Sequence, residues 1–210
     1  MSLWSAVFDR AFHAVMRLSD RLADAWYGVS TWRERRYDPA EAERTRFRDP
    51  QTNMAAYYLR LFALRRHLAP GRDDVFVDLG CGAGRALFVF AAAGIACSRG
   101  LDFHDEALRA ARVNARRFRR RAKVEIVAGD AAEFRFSDET LVFLFNPFGD
   151  LTLRAVLANL RASLAERPRR VRIGYYHPVH RAVFEAQPWL KRSAVIRGFK
   201  TDILVYETRN

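Results

Sequence analysis

From Val75 onward the apolar residues fall into short dense runs separated by longer, looser stretches. The runs "VFVDLG", "SRGLDF", "VEIVAGD", "TLVFLFN", "RVRIGYYH", "SAVIRGF" and "TDILVYET" have the length and density of buried strands. Between them, "GRALFVFAAAG", the arginine-rich stretch after Leu108, "TLRAVLANLRASLAE" and the short "HRAVFEAQ" read as helices. Strands alternating with helices predict a mainly parallel sheet covered on both faces. The last two strands are joined by a tight turn around Lys200-Thr201, so they must be antiparallel. Upstream, Leu3, Phe8, Phe12, Met16, Leu22 and Trp26 recur at helical spacing and predict an amphipathic helix over 3–27. Residues 28–51 are polar, rich in arginine and contain Pro39 and Pro50, which reads as a linker or loop. Residues 52–68 predict a second helix with Thr52 as its N-cap. The chain therefore divides into a helical N-terminal extension or cap, 1–51, and an α/β domain, 52–210.

At 210 residues the chain can fill one core and carry an extension. Two cysteines, Cys81 and Cys97, are too few for a disulfide framework, so a reducing cytoplasmic setting is expected. The longest apolar stretch, "ALFVFAAAGIAC", is too short to span a bilayer, and no membrane partner is expected. The first residues carry acids inside their apolar pattern and lack a cleavage site, which reads as mature protein. The net charge of +12 points toward an anionic partner. Its location tempers that reading: residues 109–123 hold eight bases and no acid. Leu108, Ala111, Ala115, Phe118 and Ala122 form a stripe through this segment, which turns the arginines toward water. A solvated helix face and an anionic-partner surface both fit.

The most informative stretch is "VFVDLGCGAGR". A strand runs into Gly80, Gly82 and Gly84, with Cys81 inside the turn, and a helix follows. Such a turn brings backbone close to a ligand at a helix N-terminus. A nicotinamide fingerprint has the spacing G-x-G-x-x-G; here it is G-x-G-x-G, and Arg85 stands where that pattern ends in glycine. Asp78, just before the turn, suits a ligand that presents a cation. S-adenosylmethionine, a dinucleotide and a purely structural turn remain open on spacing alone. Asp102 ends the second strand, where an acid can accept both hydroxyls of a ribose. Phe103 follows and can cover an adenine face. Asp130 ends the third strand, in position to accept an adenine amino group. Each acid alone reads equally as a turn or helix cap; their conjunction at one sheet edge favours a ligand site.

With "VDLGCGAGR", "GLDFHDEALRAARVNA", "VAGDAAEF" and "VFLFNPFG" in this order, the sequence resembles the class I S-adenosylmethionine-dependent methyltransferases over residues 52–208. The resemblance implies a Rossmann-like, doubly wound, seven-stranded sheet whose last strand is antiparallel. It implies that Asp78 and the glycines hold the methionine end, that Asp102 holds the ribose, and that Asp130 with the Ala131 amide reads the adenine. His104 departs from the small capping residue usual there, which leaves the start of the next helix open. No metal site is expected.

The fourth strand ends in Asn146-Pro147-Phe148, where proline must stop the ladder. In this family that strand end faces the transferred methyl group. Enzymes that methylate amino groups often carry Asn-Pro-Pro-aromatic there; "NPFG" is similar but lacks the second proline. A nitrogen nucleophile needs acceptors that aim its lone pair, and the Asn146 carbonyls held by Pro147 are such acceptors. Asn146 thus counts toward both the acceptor and the cofactor. Phe148 either stacks on a planar acceptor or fills the core. Tyr175, Tyr176 and His177 end the neighbouring strand, and Tyr57–Tyr58 precede the first motif. The expected function is methyl transfer to nitrogen. The acceptor's class (protein, nucleic acid or small molecule) stays open. The rivals are a cofactor-sensing or RNA-binding module on the same fold and an aminopropyltransferase.

Overall fold

The computed structural model describes residues 3–32, 45–47, 49 and 55–209, with side chains from Arg10 onward. Pro39, Pro50 and Thr52 lie outside the described residues. The sheet is built from β1 (Val75–Leu79), β2 (Cys97–Asp102), β3 (Val124–Ala128), β4 (Leu141–Phe145), β5 (Arg172–Tyr176), β6 (Leu190–Ile196) and β7 (Ile203–Thr208). Its order is β3-β2-β1-β4-β5-β7-β6. Strands β1 to β5 are mutually parallel, and β7 runs antiparallel between β5 and β6. This is the expected doubly wound sheet with its antiparallel last strand. The chain leaves β1 for β2 on one side and later returns to β4 on the other. That switch point is where open α/β sheets bind ligands.

The period-two alternation of side chains divides the core. Phe76 and Phe143 point to one face, where they meet Phe90 and the leucines Leu61, Leu64 and Leu68. Val77, Leu79, Val142 and Leu144 point to the other, against Leu153, Leu157 and Leu160. The first face is covered by α2 (Tyr58–Leu68) and α3 (Arg85–Ala91), the second by α5 (Asp150–Glu166). Helices α4 (Asp105–Arg117) and α6 (Arg181–Glu185) complete the crossovers.

Two helix boundaries differ from the sequence pattern, each because a tertiary hydrogen bond wins. Helix α2 starts at Tyr58 and not at 52, since the Tyr58 N–H donates to the Asp20 carboxylate, 2.9 Å away. Helix α4 ends at Arg117, so Phe118 and Ala122 do not extend its stripe. There the Arg119 N–H donates to the Tyr27 carbonyl at 3.0 Å and leaves the helical ladder.

Helix α1 (Leu3–Tyr27) is amphipathic as expected, but Asp20 and Asp24 face the protein. Asp20 and Asp24 are buried at 0% and 8% exposure, whereas Leu22 and Trp26 are exposed. The reason is Arg85, the first residue of α3. Its guanidinium donates to Asp20 at 2.7 Å, to the Thr31 hydroxyl at 2.8 Å and to the Ala56 carbonyl at 2.9 Å. Asp24 accepts from the Thr31 and Tyr58 hydroxyls, both at 2.7 Å. The N-terminal helix is thus bolted to the residue that follows the glycine turn.

Candidate active site at the carboxyl edge of the sheet

Gly80, Gly82 and Gly84 have φ of 83°, 55° and 90°, the left-handed conformations that their sequence spacing implies. The Gly80 and Cys81 N–H groups both donate to the Leu101 carbonyl at 2.9 Å, which ties the turn to β2. The Cys81 side chain is buried beside Gly100, so only its backbone borders the site.

Asp102 organises the next layer. Its Oδ2 accepts from the Gly82 N–H at 2.8 Å and its Oδ1 from the His104 N–H at 3.0 Å. Each oxygen keeps a further lone pair for a ligand hydroxyl. Helix α4 then starts at Asp105, one residue beyond His104, with Asp105 and Glu106 in its first turn. Phe103 stands half-buried beside the His104 ring, 4.0 Å between centroids.

Asp78 is buried at 4% exposure and accepts no hydrogen bond among the described residues. Burial raises its pKa well above the ordinary carboxylate value, and Asp102 raises it further. A buried, partnerless carboxyl beside a glycine turn fits a ligand that brings a cation, as the ammonium of S-adenosylmethionine does.

Asp130 is more heavily engaged than its sequence position implies. Its Oδ1 accepts from the Ala132 N–H at 2.9 Å and its Oδ2 from the Arg46 N–H at 2.6 Å. Asp49 accepts the Gly149 N–H at 2.7 Å on its carbonyl and the Thr152 hydroxyl and N–H on its carboxylate, capping α5 from outside. Thr45 and Asp49 therefore line one cleft with Gly80, Asp102, Phe103, Asp130, Ala131, Pro147 and Phe148. Sequence reasoning missed Thr45, Asp49 and Thr152, because nothing in a polar segment signals where it will dock.

Asn146 has φ +39° and His177 φ +53°, at the ends of adjacent parallel strands. Both precede a proline, which narrows the backbone freedom of the residue before it. Strain of this kind collects at functional sites. The Tyr175 hydroxyl donates to Asn146 Oδ1 at 3.3 Å and accepts from the His180 N–H at 3.1 Å. His177 is exposed and contacts the Thr201 hydroxyl at 3.1 Å. Phe148 is 7% exposed and packs in the core, with one edge on the cleft. Tyr57 reaches His13 of α1 at 2.7 Å, and Tyr58 is fully buried. The arginine-rich helix starts at the cleft edge and runs about 18 Å away from it by Arg117. No grouping of side chains among the described residues could hold a metal ion.

A methyltransferase-domain family model matches residues 76–167. No curated protein matches by sequence. Among solved structures, an RNA methyltransferase from Salinibacter ruber in complex with S-adenosyl-L-homocysteine superposes with TM-score 0.58 at 17% identity, covering 75% of this chain and 95% of its own. The ribosomal protein L11 methylase from Lactobacillus delbrueckii subsp. bulgaricus gives 0.58 at 15%, covering 74% and 81%. A TehB-like S-adenosylmethionine-dependent methyltransferase from Corynebacterium glutamicum gives 0.55 at 16%, covering 74% and 90%. At these identities the likeness is one of fold. Residues 76–167 thus match a methyltransferase domain, set on the Rossmann-like fold and strand order that these methyltransferase structures share.

Proposed function

We propose that the chain is a class I S-adenosylmethionine-dependent methyltransferase that transfers methyl to a nitrogen atom positioned by Asn146-Pro147 at the end of β4. The observation that carries the reading is Asn146 itself, held at φ +39° before a proline with its amide oxygen oriented by Tyr175. S-adenosylmethionine supplies an electrophilic methyl group on a sulfonium, whose displacement needs alignment more than acid or base. Asp78 and the turn Gly80-Cys81-Gly82-Ala83-Gly84 receive the methionine end, Asp102 the ribose, and Phe103, Asp130 and Ala131 the adenine. Asn146 borders both the cofactor and the acceptor, with Pro147 stiffening the loop and Phe148 anchoring it in the core.

Within the division into a cap, 1–51, and a transferase domain, 52–210, residues 45–47 and Asp49 are the part of the cap that borders the adenine. Because Asp130 already accepts the Arg46 N–H, an adenine amino group shares its carboxylate or displaces that segment. The similar structures include an RNA methyltransferase and a ribosomal protein methylase, which keeps both acceptor classes in the screen. No helix among the described residues is long and apolar enough to cross a membrane, and the two free cysteines suit a cytoplasmic enzyme.

The test is transfer of a labelled methyl group into protein, RNA and small-molecule pools. The label should be retained after alkaline treatment, as an N-methyl group is. Label released as methanol would identify a carboxylate ester and overturn the nitrogen assignment.

A further inference from the structure

Helix α1 carries an apolar stripe on its outer face. Val15, Leu18, Leu22 and Trp26 are exposed at 60%, 60%, 64% and 67%. With 3.6 residues per turn they lie within roughly 80° of one another around the helix. Single exposed leucines need no explanation; a contiguous row of four large side chains does.

The charges around the stripe indicate what covers it. Arg10, Arg17 and Arg21 of the same helix are exposed. The acids of the helix's second half, Asp20 and Asp24, are turned inward to Arg85, Thr31 and Tyr58. Between Arg10 and Tyr27 the outer surface of α1 therefore offers apolar and cationic groups and no acid. The arginine-rich segment extends this surface. The Arg119 side chain donates to the Ala25 carbonyl of α1 at 3.1 Å, and the Arg120 guanidinium sits 5.2 Å from the centre of the Trp26 ring. The end of the run 109–123, which holds eight bases and no acid, thus abuts the end of the stripe.

We propose that α1 and the arginine run 116–121 form a docking face for an anionic lipid surface. The combination decides the occupant. An interfacial helix needs an apolar face to enter the acyl boundary and basic residues to meet headgroup phosphates, and Trp sits well between the two. A nucleic acid would use the arginines and leave Val15, Leu18 and Leu22 in water. A second copy packed about a two-fold axis would set this cationic face against the same cationic face. The stripe lies along the helix surface and needs no spanning length. It therefore revises the expectation that no membrane is a partner, which rested on the absence of a span. The site at the carboxyl edge of the sheet is not involved, and the proposal stands independently of the acceptor's identity.

The experiment is co-sedimentation of the full chain with vesicles of phosphatidylcholine alone and of phosphatidylcholine mixed with phosphatidylglycerol. Binding is expected only to the mixed vesicles and should weaken as salt rises. Leu18→Gln with Leu22→Gln should weaken it on the order of tenfold or more. Arg120→Gln and Arg121→Gln should each weaken it by roughly fivefold. Both sets of variants should keep the wild-type melting temperature, since these side chains face water. No binding of the folded wild-type chain to mixed vesicles would overturn the proposal. So would vesicle binding that the leucine variants leave unchanged. RNA binding lost only in the arginine variants, without vesicle binding, would assign the run to nucleic acid. A dimer by light scattering that becomes a monomer in the leucine variants, without vesicle binding, would assign the stripe to a second copy.

Discussion

A Cβ placed on Gly80 would stand 2.6 Å from Pro147 Cβ, too close for any real pair of carbons. The glycine turn after β1 and the Asn-Pro loop after β4 are therefore in direct contact across the switch point of the sheet. Gly80→Ala meets both this overlap and a backbone φ of 83°. It should destabilise the fold by about 2–4 kcal/mol. It should also lower turnover, because relieving the overlap moves the loop that holds Asn146. Urea unfolding and steady-state kinetics check the two effects. A variant of normal stability and turnover would mean that the contact carries nothing.

Asp78 provides a pH signature. Its pKa is raised, so the folded, cofactor-free protein keeps a proton that the unfolded chain loses. This contribution to stability is complete below the ordinary carboxylate value and is lost as pH rises through the raised value. Asp78→Asn should thus raise the stability of the cofactor-free protein at neutral pH. The same change should weaken S-adenosylhomocysteine binding at least about tenfold, since a charge-assisted contact to the ammonium is lost. In the wild type, binding below the raised pKa should release a proton, visible as a buffer-dependent binding enthalpy in calorimetry. A buffer-independent enthalpy across that range would remove Asp78 from the cofactor's cationic end.

Arg85 and Asp20 form an ion pair of 2.7 Å at 5% and 0% side-chain exposure. Arg85→Met leaves Asp20 buried without its cation and should cost about 3–5 kcal/mol, read from urea unfolding. Adding Asp20→Leu should recover only part of the loss, because Asp20 also accepts the Tyr58 N–H and Arg85 also serves Thr31. Full additivity in that double-mutant cycle would contradict the coupling of α1 to the glycine turn.

Asn146→Ala removes an oriented carbonyl but no charge. Affinity for S-adenosylhomocysteine should change by less than about 1 kcal/mol. Turnover should fall on the order of a hundredfold once an acceptor is known. Equal losses of affinity and turnover would make Asn146 a cofactor ligand alone, and wild-type turnover would reduce it to a turn residue.

The sheet was legible because its strands are short solid apolar runs, and because Gly80, Gly82 and Gly84 punctuate one strand end with the backbone freedom a turn needs. The acids Asp78, Asp102 and Asp130 were legible as a set because each sits where a strand run stops. What escaped the sequence depends on contacts distant along the chain. Arg46 and Asp49 look like any polar linker residues until the fold brings them to Asp130 and Thr152. Asp20 stood out as an acid inside an apolar pattern, yet only Arg85, some sixty residues on, turns it inward. For the same reason the periodicity of α1 gave its amphipathicity and not the face that packs. The end of α4 was misplaced because Arg119 bonds to Tyr27, a choice that helical spacing does not contain.

The central claim is that the strand ends Asp78, Gly80 to Gly84 and Asp102 bind S-adenosylmethionine. Calorimetric titration of the purified chain with S-adenosylhomocysteine and with NADH tests it most directly. Binding of S-adenosylhomocysteine and not NADH is predicted, with Asp102→Ala weakening it by about 1.5–3 kcal/mol, roughly ten- to a hundredfold. Tight NADH binding with no response to S-adenosylhomocysteine, in a chain that is folded by its melting transition, would contradict it.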